Sequence, residues 1–184
     1  ARALLAALAG NSPFLARLLV REAEVLPSLL SEQASQSLET LLQACRAEME
    51  AAQDQATLME AARTAKRRVA LLTAAADVST AWPLERVTHA LTVLADTVIE
   101  STCQWLLRRS ARAGDIKLAD EKVPTSGSGL IVIAMGKHGA FELNYSSDID
   151  IIVFYEPDGL EFAQGIDPGS FFVRLTRDLV KVLQ

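Results

Sequence analysis

A chain of 184 residues with a net charge of −5 is long enough for one large domain or two small ones. Apolar residues make up 50% of it and aromatic residues only 5%, the balance of a helix-rich soluble protein. The acidic surplus argues against nucleic acid or an anionic membrane as a partner, and no apolar run reaches the roughly 18 residues that cross a bilayer.

The opening "ARALLAALAGNSPF" has neither a start Met nor the cleavage pattern of a secretory signal. Ser12-Pro13 reads as an N-cap followed by Pro in the first helical position, with Phe14, Leu15, Leu18 and Leu19 recurring at helical spacing. Pro27 marks the opening of a second short helix. From Ser35 to Val78 there is no Pro or Gly, and Leu38, Leu41, Leu42, Cys45, Met49, Ala52, Leu58 and Met59 mark one long helix or two abutting ones. A further helix starts near Pro83, with Leu84, Val87, Leu91, Leu94, Val98 and Trp105 close to a heptad stripe. Cys45 and Cys103 lie inside these helical patterns without metal-type spacing and read as reduced core thiols of a cytoplasmic protein.

The pattern then changes. "ARAGDIKLADEKVPTSGSG" (111–129) reads as a surface connection, "LIVIAMG" as a strand, "KHGAFELN" as a turn or short helix, and "DIDIIVFY" as a second strand. "EPDGLEFAQGIDPGS" reads as a Gly- and Pro-rich loop. Asp167, Pro168 and Ser170 signal the start of a last helix carrying Phe171, Phe172, Leu175, Leu179, Val180 and Leu183. That helix stops in mid-pattern at Gln184, and with the missing Met this marks the chain as a piece of a longer protein. The expected fold is α+β: a helical region over 1–112, a connection over 113–128, and over 129–184 the first strands of a sheet with a flanking helix.

Asp148 and Asp150 stand at the mouth of an otherwise apolar strand. Strand alternation puts both on one face, with Ile149 and Ile151 on the other. Two carboxylates so close repel each other unless a cation neutralises them. Mg²⁺ suits such a pair: it takes one or two protein carboxylates and completes its shell with water and phosphate oxygens. Gly136 lets backbone N–H groups approach a phosphate, Lys137 brings a cation to it, and Ser146 and Ser147 add hydroxyls and amides. The combination predicts a metal-plus-phosphate pocket for phosphoryl or nucleotidyl transfer, with Asp148 and Asp150 catalytic. A P-loop is excluded, because Ile131 and His138 stand where it needs Gly and Ser or Thr. A glycosyltransferase-type Asp-x-Asp accounts for the metal but not for the glycine turn.

The stretch "MGKHGAFELNYSSDIDIIVFY" (135–155) closely resembles the signature of the glutamine-synthetase adenylyltransferase/adenylyl-removing family, within the nucleotidyltransferase superfamily that includes DNA polymerase β. That signature reads Gly-Lys-Leu-Gly-Gly-Arg-Glu-Leu-Asn-Phe-Ser-Ser-Asp-Ile-Asp. The chain keeps Gly136, Lys137, Gly139, Glu142, Leu143, Asn144, Ser146, Ser147, Asp148 and Asp150, and departs at His138, Ala140, Phe141 and Tyr145. The resemblance implies a polymerase β-like sheet and the N-terminal, adenylyl-removing domain, which takes AMP from a glutamine-synthetase tyrosine by phosphorolysis and gives ADP. It implies Mg²⁺ (or Mn²⁺) as cofactor, and ATP, ADP and phosphate as small-molecule partners. Glutamine synthetase and a PII-type nitrogen signalling protein are its implied protein partners. It also implies a third metal carboxylate in a later segment that this chain does not contain, so that the chain by itself would be inactive. The competing readings are a non-catalytic module that senses nucleotide or binds a signalling protein, and a nucleotidyltransferase with another acceptor.

Other residues have plainer readings. His89 and His138 have no companion ligands, Glu142 and Asn144 fit pocket-lining and turn-holding roles equally well, "KRR" at 66–68 reads as a solvated helix face, and Trp82 and Trp105 read as packing residues.

Overall fold

The computed structural model describes residues 2–27 and 34–184, and its architecture is α+β. Helices α1 (Arg2–Asn11) and α2 (Pro13–Arg21) meet at Ser12, whose hydroxyl accepts from the Leu15 N–H at 3.3 Å with Pro13 in the first turn. That is the predicted cap. The helix expected to open at Pro27 falls on 28–33, which lie outside the described residues.

The long Gly- and Pro-free stretch forms two helices, α3 (Ala34–Glu50) and α4 (Gln55–Val78). A reciprocal capping box divides them: Asp54 Oδ1 accepts from the Thr57 N–H at 2.8 Å, and the Thr57 hydroxyl accepts from the Asp54 N–H at 3.2 Å. α5 (Leu84–Ala113) spans about 45 Å at 1.5 Å per residue and ends at Gly114, whose φ of 83° only glycine adopts without strain. Its middle is buried on more than one stripe, with Leu94, Val98, Ile99, Cys103, Leu106 and Leu107 all inside, whereas Leu84 at its start is exposed. Trp82 and Trp105 are buried as expected, and the Trp105 indole donates to the Ala52 carbonyl at 2.8 Å.

Two sequence expectations fail here. "KRR" is not a solvated face: Arg67 and Arg68 both bond Glu22, at 2.6 and 3.2 Å, and Glu22 is only 6% exposed. A buried carboxylate between two guanidiniums ties the end of α2 to α4, a long-range pairing that helix periodicity does not encode. The loop over 156–170 and the connection over 111–129 are also not wholly irregular. Each supplies one strand of a small antiparallel ribbon, β1 (Ile116–Lys117) against the later Glu161–Phe162 (β4). Ile116 and Leu160 enter the core beside it.

The second ribbon carries the signature. β2 (Leu130–Met135) pairs antiparallel with β3 (Asp150–Tyr155), in a register that sets Ile131 opposite Phe154, Ile133 opposite Ile152 and Met135 opposite Asp150. The strand expected from Asp148 thus begins two residues later, because pairing starts only where Met135 offers a partner. One face, with Leu130, Val132, Ile151 and Val153, packs on the helical core. The other, with Ile131, Ile133, Ile152 and Phe154, is exposed, so the strands are not buried on both faces as their apolar run suggests.

The single turn α6 (Gly136–Gly139) directly continues β2, and the chain closes with α7 (Pro168–Leu183). Asp167 caps α7 by accepting from the Ser170 N–H at 2.8 Å. Phe171, Phe172, Leu175, Leu179 and Val182 face inward, while Val180 points out. Val182 follows Leu179 by three residues and stays on its stripe; Val180 is turned about 100° away from it. Leu42, Met49, Leu58, Val69, Leu107 and Phe172 belong to one apolar core, which joins α3, α4 and α5 to α7.

Candidate functional site

The site is built where β2 stops. Gly136 has φ 55°, and a Cβ on it would sit 3.0 Å from Asp150 Oδ2, so the bare glycine lies directly against the carboxylate. Gly139 is equally constrained, since a Cβ there would meet the Ala134 carbonyl oxygen at 2.6 Å. The turn between them is fastened by backbone bonds, from the Ala140 N–H to the Gly136 carbonyl at 3.1 Å and from the Glu142 N–H to the Lys137 carbonyl at 2.8 Å. Phe141 takes a left-handed φ of 61°, which is strained for a residue with a bulky side chain. Lys137 is exposed and has no carboxylate in ion-pair range among the described residues.

Leu143 is buried and anchors the loop that follows. Asn144 then organises a tight turn. Its side-chain oxygen accepts from the Ser146 N–H at 3.0 Å and from the Ser147 hydroxyl at 2.9 Å, while its own N–H donates to the Ser147 hydroxyl at 3.0 Å. The Ser147 N–H goes to the Asn144 carbonyl at 3.2 Å. Both serine amides are therefore engaged inside the turn, and Asn144 is a turn-holding residue. Glu142 is exposed.

Asp148 and Asp150 emerge from this turn exposed, with Ile149 and Ile151 half-buried between and after them. The burial alternation inferred for a strand is kept although only Asp150 is in one. Among the described residues no group of three or more acidic, His or Cys side chains is placed to hold a metal. The donor set is two carboxylates beside a glycine turn, which fits a cation that leaves positions for water and phosphate.

Both histidines have structural partners that helix periodicity does not announce. The His138 side chain is 1% exposed, and its Nε2 lies 2.8 Å from Oδ1 of the half-exposed Asp96 on α5; its Nδ1 is buried without a partner. The His89 ring, also on α5, stacks on Phe141 with centroids 5.8 Å apart. Tyr145 lies against α4, where burial raises its phenol pKa, the Thr73 hydroxyl opposing and the Asp77 charge adding to the rise. The available signal was Asp96 itself, a carboxylate set in the otherwise uncharged run "LTVLADTVI".

The model of the family described as glutamate-ammonia ligase adenylyltransferase matches residues 2–184. The chain belongs to that family. It is 42% identical over 183 residues to a bifunctional glutamine synthetase adenylyltransferase/adenylyl-removing enzyme of Bradyrhizobium diazoefficiens, covering 100% of this chain and 18% of that protein. Its identity to the like-named protein of Rhodopseudomonas palustris strain HaA2 is 43% over 183 residues, covering 100% and 18%. To that of Xanthobacter autotrophicus it is 42% over 184 residues, again 100% and 18%. The chain thus spans about a fifth of the length of the curated relatives it matches. The match runs through the helices as well as the signature, so the helical array belongs to the family's architecture. No described helix is long and apolar enough to cross a membrane.

Proposed function

We propose that the chain supplies the metal- and phosphate-holding part of a nucleotidyltransferase site that removes AMP from adenylylated glutamine synthetase by phosphorolysis, giving ADP. The observation that carries this reading is the placement of exposed Asp148 and Asp150 at the end of a ribbon, with Gly136 closed against the Asp150 carboxylate. Asp148 and Asp150 would hold Mg²⁺, or Mn²⁺, whose chemistry is to draw charge from the phosphoryl oxygens as the bond to AMP breaks. Lys137, exposed and without a carboxylate partner, pairs with a phosphate oxygen. Gly136 admits that phosphate close to the backbone. Ser146 and Ser147 hold the loop through Asn144, and their hydroxyl oxygens are the atoms they offer to a nucleotide.

With this reading go ATP, ADP and phosphate as small-molecule partners, a PII-type signalling protein as regulator, and a cytoplasmic setting. The test uses the full-length enzyme, adenylylated glutamine synthetase, phosphate and Mg²⁺. Phosphate-dependent ADP release that disappears in Asp150→Asn supports the reading. Release that persists in the variant, or that ignores phosphate, rejects it.

A further inference from the structure

Two side chains of the 135–155 stretch reach the helical array at α5: His138 at Asp96, and Phe141 at His89. His89 and Asp96 are seven residues apart and share one face of α5. Packing does not seal this junction. A cavity of about 270 Å³ opens between α5 and the ribbon, lined by Ile99, Cys103, Val132 and Ile151 together with Asp96 and His138. At its rim the contact is polar and directional, with the Thr125 hydroxyl donating to Glu100 at 2.7 Å and His138 meeting Asp96.

We propose that Asp96 is a positioning residue for the phosphate-facing turn, acting through His138. An ionised carboxylate only accepts, so Nε2 of His138 donates to Asp96, while Nδ1 is buried without a partner. The ring then has a single polar anchor. Without Asp96 a nearly fully buried imidazole is unsatisfied at both nitrogens, and it gains by turning out to water. The backbone of that residue belongs to the turn: the Phe141 N–H bonds the His138 carbonyl at 3.1 Å, and Lys137 is its neighbour. Moving the ring moves the ammonium. A leucine at position 138 would need no such partner, so the dependence on Asp96 is created by the histidine.

The test is a rescue in the full-length enzyme, comparing Asp96→Ala, His138→Leu and the double variant. Asp96→Ala should speed amide exchange over residues 140–142 about ten-fold while leaving α4 and α5 protected. It should also raise KM for inorganic phosphate more than it lowers kcat. His138→Leu should stay close to the parent, and the double variant should return both quantities toward it. The proposal is overturned if Asp96→Ala leaves exchange in the turn unchanged, or if His138→Leu fails to rescue it. Loss of protection along α5 overturns it too, because Asp96 would then be stabilising its own helix. The kinetic arm rests on the phosphorolysis reading and the exchange arm does not, so absent turnover in the parent rejects that reading and still leaves exchange to decide this one.

Discussion

The helical array and the β2–β3 ribbon solve opposite problems with the same alphabet. In the array, α3, α4, α5 and α7 bury Leu, Met, Phe and small residues against each other, and even the charges that enter, as at Glu22, are neutralised by two arginines. The ribbon packs one face and leaves Ile131, Ile133, Ile152 and Phe154 open on the other. Its carboxylate-bearing end is held by glycines, an asparagine turn and hydrogen bonds together with the buried Leu143. The apolar core and the proposed site thus lie in different regions. Exposed carboxylates are compatible with a folded chain because another part of it supplies the burial.

That division makes substitutions separable. The largest effect is expected from Asp150→Asn, which removes a carboxylate proposed to hold the metal: ADP release by the full-length enzyme should fall about 100-fold or more. Its melting temperature should hold or rise, because a carboxylate repulsion is relieved. Unfolding of this variant would make the pair structural and collapse the distinction. Leu107→Ala is the converse. Leu107 is fully buried in the array, and truncation should cost about 2–5 kcal/mol in chemical denaturation while leaving the per-molecule activity of the folded fraction intact.

Gly139→Ala sharpens the boundary between the two regions. Its Cβ would press on the Ala134 carbonyl, so the turn must shift. The expected result is a loss of about 1–3 kcal/mol, with phosphate affinity falling more than metal affinity in separate titrations. Equal loss of both would show that the whole ribbon moves as one piece. Ile152→Thr on the open face should change stability by no more than about 0.5 kcal/mol, since Ile152 is already 42% exposed. A larger loss would mean that this face is covered in the enzyme.

The smallest effect concerns pH. Burial pushes the Cys103 thiol up to about 12 and the Cys45 thiol up to about 11, against an ordinary value near 9. Above pH 9 the unfolded chain releases these protons and the folded chain keeps them, so stability present below pH 9 declines as pH rises toward those values. Cys103→Ala should flatten that decline in denaturation curves above pH 9, within the window that opens at the ordinary value near 9 and closes at about 12.

What the sequence determined by itself was local. Ser12-Pro13 and Asp167-Pro168 announced their helices because a cap is satisfied within three residues. Apolar periodicity placed α4 and α5, and the spacing of Asp148 and Asp150 put both on one exposed edge, because alternation is a property of extended backbone even outside a paired strand. What only the tertiary structure decided were the pairings between distant segments. Nothing near Arg67 names Glu22, nothing near Ile116 names Phe162, and nothing near His138 names Asp96. Each joins residues more than 40 positions apart, and whether such a polar group faces water or a partner is settled only once the apolar cores have fixed which surfaces meet.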